Sequence, residues 1–169
     1  RMAVRALKTL DPTYDAQAEL QLEVDDCVKL GTKPVSEAGR RGEHRAFYAC
    51  GAVFALAAEA AQRRATGGDW FAYLTPLIDD SREDGVLTRE EWLAHLTAVS
   101  GDPELRARIE VLLDTGAADP TPVIAALFDR SGVAYRLTDG KIELIRNTDI
   151  FRPFLLGADA GYLISDTNA

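Results

Sequence analysis

The chain has 169 residues, 47% of them hydrophobic and 27% charged. That is ordinary for a globular protein and enough to bury a core without metal or disulfide staples. Its 27 acidic and 19 basic residues leave a net charge of −8, which argues against nucleic acid or an anionic membrane as partner, since both select a positive footprint.

The first residue is Arg, and Met2, Val4, Leu7 and Leu10 already follow a helical pattern, so the chain reads as a piece of a longer polypeptide. Asp11-Pro12 predicts an N-cap followed by proline at the first helical position, and Gly31 a stop. Between them Leu20, Val24, Cys27 and Val28 share one face, with Glu19, Glu23 and Asp26 opposite. A polar stretch, residues 31–43, follows. The next helix spans about 44–65, with Phe47, Cys50, Val53, Phe54, Ala57 and Ala61 on its apolar face. Its apolar run, 46–58, is too short to span a bilayer, and no signal peptide precedes it.

Gly67-Gly68 closes that helix, and Asp69 caps one carrying Trp70, Tyr73, Leu74, Leu77 and Ile78. Thr88-x-x-Glu91 is a capping box ahead of Trp92, Leu93, Leu96 and Val99. Ser100-Gly101-Asp102-Pro103 turns into a helix with Leu105, Ile109, Leu112 and Leu113. Asp119-Pro120 opens a last helix that Gly132 stops. Asp139-Gly140, between two short alternating runs, predicts a hairpin. The segment beyond it, with Phe151, Phe154, Leu155 and Leu156, is left as irregular. The fold class is therefore mainly α: a bundle or array of about six to seven helices over 1–132, with a small β-hairpin and an irregular tail over 133–169 packed on it.

Little here supports chemistry by itself. A zinc hydrolase needs about three protein ligands and an open position, usually supplied in part by HExxH. The chain has only His44 and His95, neither in such a motif, and both read as surface or helix-end histidines. Cys27 and Cys50 each fall in an apolar helical pattern and read as two small buried hydrophobes. No Cys/His cluster suggests metal and no cysteine framework suggests secretion, so the compartment stays open. Residues 80–91 have the frame of a calcium-binding loop, with Asp80, Asp84, Gly85 and Glu91 in register. The third ligand position is Arg82, a cation where calcium needs oxygen, so an acidic turn leading into the capping box is the simpler reading.

A resemblance adds a sharper expectation. Tyr48-Ala-Cys-Gly51, Thr66-Gly67-Gly68, Gly85-Val-Leu-Thr88-Arg-Glu-Glu-Trp92, Ser100-Gly101 and Leu127 to Val133 occur in that order. This series resembles the helical part of the gluzincin aminopeptidases, especially the glycyl aminopeptidase group. The resemblance implies a fragment of a zinc metallopeptidase that is non-catalytic alone. Its zinc, its zinc-binding part and its peptide substrate would belong to the longer parent, and no cofactor would be bound by this chain. It implies that Tyr48 donates a hydrogen bond to the oxyanion of the tetrahedral intermediate, worth on the order of 3 kcal/mol. It also implies that Gly51 lets substrate approach. The chain departs from the family in carrying Ala49-Cys50 where many relatives have Glu-Lys. The alternative is a non-enzymatic helical interaction module or a degenerate peptidase relative, with Tyr48 packed rather than lining a cleft.

Overall fold

A computed structural model describes residues 14–82 and 85–145. Among the described residues, six α-helices and one two-stranded antiparallel sheet make up the mainly helical fold: α1 (Ala16–Leu30), α2 (Arg45–Thr66), α3 (Trp70–Asp80), α4 (Arg89–Ser100), α5 (Pro103–Glu110), α6 (Thr121–Ser131), β1 (Tyr135–Thr138) and β2 (Lys141–Leu144). A 3₁₀ turn, Val35–Glu37, lies between α1 and α2, and a π-helical stretch, Val111–Thr115, continues α5. Among the described residues no helix is long and apolar enough to cross a membrane.

The local signals set most element ends. Asp69 Oδ1 accepts from the Phe71 and Ala72 N–H groups at 3.0 Å each. The Thr88–Glu91 capping box is formed in both directions, and Asp102 Oδ1 accepts from Glu104 N–H at 2.9 Å. Such caps are each worth about 1 kcal/mol. The start of α1 differs from expectation. Its N-cap is Asp15, whose Oδ1 accepts from Gln17 and Ala18 N–H, so the chain enters the helix three residues past Pro12. Asp11 and Pro12, the apolar positions 2–10, and Phe151, Phe154, Leu155 and Leu156 lie outside the described residues.

Helix α2 is the hub. Residues 53–62 are buried on every side, because α2 packs against α1, α3, α4 and α6 and its alanines let those neighbours approach closely. Tyr73 of α3 is fully buried, stacked on Trp70 and met edge-on by Trp92 and His95. Its hydroxyl donates to Trp92 O at 3.3 Å. Phe128, Leu127 and Ile124 of α6 and Leu105 and Ile109 of α5 complete the core.

The hairpin turn has positive φ at both Asp139 (51°) and Gly140 (75°), the left-handed pair that a tight hairpin requires. Strand β2 is held to α1 by side-chain amides. Gln21 donates to Ile142 O and accepts from Leu144 N–H, at 2.7 and 2.8 Å, and Gln17 donates to Leu144 O at 2.8 Å.

Ion pairs link the α4–α5 surface. Arg89 grips Asp114 through both guanidinium ends at 2.6 Å. Arg106 grips Glu90 at 2.7 and 2.9 Å and also donates to Glu110. The Arg89 hydrogen bonds hold Asp114 below its ordinary 3.8, and those from Arg106 hold Glu90 below 4.5. Folded pKa values below unfolded ones add stability that is present above the unfolded pKa and lost as pH falls through the folded one. The unfolding midpoint should therefore hold steady down to about pH 5 and decline below about pH 4. A thermal melt series checks this. Arg89→Met with Arg106→Met should flatten the acid limb, modestly because these groups face solvent. An unchanged limb would remove the pairs from the account.

Candidate functional site

Helix α2 changes character along its length. Its middle turns, residues 53–62, are all core, whereas its first two turns face solvent on one side. His44, Phe47, Tyr48 and Gly51, spaced i, i+3, i+4 and i+7, fall on that side and are exposed. Tyr48 is 71% exposed and Phe47 41%. The opposite side of the same turns, Ala46, Ala49, Cys50 and Val53, is buried.

The stripe is held firmly from behind and around its rim. Phe47 leans over Gly39, whose hydrogen stands where a side-chain carbon would come 3.3 Å from the ring. The His44 and Phe47 rings are 6.4 Å apart and tilted. Arg45 reaches across to α1, meeting Glu23 at 3.0 Å and Asp26 at 2.7 Å. The Asp26 hydrogen bond is the main reason the guanidinium is held even more firmly protonated than usual. In the preceding loop Glu43 takes Lys33 and Arg41 at 2.8 and 2.7 Å, which lowers its carboxyl pKa. Nothing stands within 4 Å of where a Gly51 side chain would begin, so the helix backbone is open to an approaching group.

Periodicity placed Phe47 on the core face, and the structure turns it outward. The fold has its buried line one step round the helix, through Ala46, Ala49, Cys50 and Val53, because α1 lies on that side. Tyr48 is not packed as the interaction-module alternative expects, and it lines none of three cavities: one between α3 and α4, one beside Arg64 and Arg130, and one beside Asp25 and Ile142. The cysteines also differ from expectation. Cys27 and Cys50 are fully buried but joined in a disulfide that ties α1 to α2 directly behind the stripe.

The other candidate residues gather elsewhere. Asp80, Glu91 and His95 line one cavity of about 340 Å³ between α3 and α4, with Leu77, Leu87, Ala94 and Ala98. Glu91 Oε2 is already taken by the Thr88 N–H and hydroxyl, at 2.7 Å each. Asp84 lies outside the described residues. Among the described residues no group of three or more His, Cys, Asp or Glu side chains could hold a metal. His44 is an exposed helix-end residue as expected. His95 is not a surface residue: it is half-buried, with its ring 4.7 Å from that of Tyr73 and Nε2 shut off from water.

No family model matches the chain, and no solved structure matches it. A stretch of 33 residues, 20% of the chain, is 76% identical to the major capsid protein of Burkholderia phage BcepMu and spans 11% of that protein. The expected kinship with gluzincin aminopeptidases is overturned by this finding, and the description as hydrolase, metallopeptidase or aminopeptidase goes with it. The physical reason lies in the motifs. Gly67, Gly101 and Gly132 are left-handed helix caps, and Thr88–Glu91 is a capping box. These are punctuation that any helical array carries. The zinc of a longer parent and the oxyanion role of Tyr48 rested on that resemblance and are not carried further.

Proposed function

We propose that the chain is a non-enzymatic helical interaction module that binds a protein partner through the His44–Phe47–Tyr48–Gly51 stripe. The observation that carries this reading is the 71% exposure of Tyr48, beside Phe47, on a helix whose middle, residues 53–62, is buried on every side. Tyrosine offers large amphipathic contact area with few rotamers to freeze, and aromatic anchors ringed by polar groups dominate binding energy at protein interfaces. The Arg45–Glu23–Asp26 and Lys33–Glu43–Arg41 clusters supply charged neighbours of that kind. The open backbone at Gly51 gives a partner side chain somewhere to sit. The protein that matches over 33 residues is named a major capsid protein.

The test uses peptides selected from a displayed random library on the intact chain. Tyr48→Ala should weaken their binding by roughly thirtyfold, about 2 kcal/mol, and Gly51→Arg should block it. Both variants should melt close to the parent, since neither position packs against the core. Peptides that bind both variants as tightly as the parent would rule out the stripe.

A further inference from the structure

We infer that this chain is built to fold in an oxidising compartment, with Cys27–Cys50 a permanent staple rather than a redox switch. The bond joins the last turn of α1 to the second turn of α2. Cys27 and Cys50 are both 0% exposed, and their Cα atoms are 4.7 Å apart, within the span that a disulfide bridges. The sequence contains no third cysteine, so no resolving thiol exists within the chain to open the bond by exchange. Redox-sensing cysteines are accessible and often stand next to a resolving partner. This pair has neither property. Its neighbours in the interface are Leu20, Val24, Ala49 and Val53, all buried, so the sulfurs are shielded from attacking thiolates while the fold persists.

The location explains what the staple is for. Helix α1 carries the hairpin, through Gln17 and Gln21, and also the Arg45 partners Glu23 and Asp26. Securing α1 to α2 therefore fixes both the hairpin and one rim of the aromatic stripe. Closing the bond removes two protons and two electrons from the thiols. A disulfide-bonded oxidoreductase accepts them and is itself reduced to a dithiol. Such acceptors work in extracytoplasmic and secretory compartments, whereas the cytosol keeps thiols reduced.

The test is made on the full chain produced once in an oxidising compartment and once in a reducing cytosol. Unfolded in denaturant and treated with iodoacetamide, the first should take up no label without reductant and two labels with it. Folded and given millimolar thiol reductant, it should stay unlabelled for hours. With the cysteines 23 positions apart in sequence, loss of the loop constraint should raise the unfolded-to-folded ratio by roughly 300-fold. The Cys27→Ala/Cys50→Ala variant should show the same loss and no response to reductant. Two labels without reductant in the first preparation would overturn the inference, as would rapid reduction of the folded protein. Equal stability of the two preparations would do so as well.

Discussion

Gly116→Ala is expected to destabilise the chain by on the order of 3 kcal/mol or more, a loss comparable to a large core truncation. Gly116 follows the π-helical stretch with φ 69° and ψ 178°, a region open essentially to glycine alone. A side-chain carbon there would also stand 2.6–2.7 Å from the backbone N, Cα and C of Lys33. The clash is with main chain, so no rotamer relieves it. The two segments are also tied on either side of the contact. Ala117 N–H donates to Gly31 O at 3.0 Å, and Ser36 Oγ donates to Leu113 O at 2.7 Å. Denaturant titration of the variant checks this expectation. A midpoint within error of the parent would show that the two segments can part without cost.

Arg63→Met is expected to cost about 3 kcal/mol, because it strips a buried carboxylate of a charged neighbour. Glu59 is 1% exposed within α2, and Arg63 one turn on donates to it at 3.1 Å. Burial lowers the Arg63 pKa, with Asp69 opposing, and its Nε has no hydrogen-bond partner among the described residues. The pair is thus already held in a site where desolvation is severe. Replacing both residues by methionine should cost less than Arg63→Met alone, since an apolar pair of similar bulk has no charge to strand. A double-mutant cycle with no coupling would show that the two side chains contribute independently.

Much of the architecture was readable because it is written locally. Asp69, Thr88 with Glu91, Asp102-Pro103 and Asp139-Gly140 each act on backbone within three or four residues, so their effect does not depend on the rest of the fold. What escaped is tertiary. The outward turn of Phe47 follows from where α1 lies, and the Cys27–Cys50 bond depends on two helices crossing at those positions. His95 is half-buried only because Tyr73 of α3 meets it. The conversion of residues 111–115 to a wider helix accompanies a loop pressed against Lys33. Tyr48 and Gly51 drew attention through a resemblance built from helix caps. Their exposed position is nonetheless legible as a second stripe at positions 44, 47, 48 and 51, offset from the buried one.

The amide clasp between α1 and β2 joins positions far apart in sequence: Gln17 and Leu144 are separated by 127 residues yet hydrogen-bonded. The helical body is therefore entered and left at nearly the same point. The start of α1 and the end of β2 thus lie side by side. A body whose two ends lie together can be grafted into an exposed loop of a host without stretching that loop's ends apart. Its aromatic stripe is then displayed with little strain on either partner in the graft.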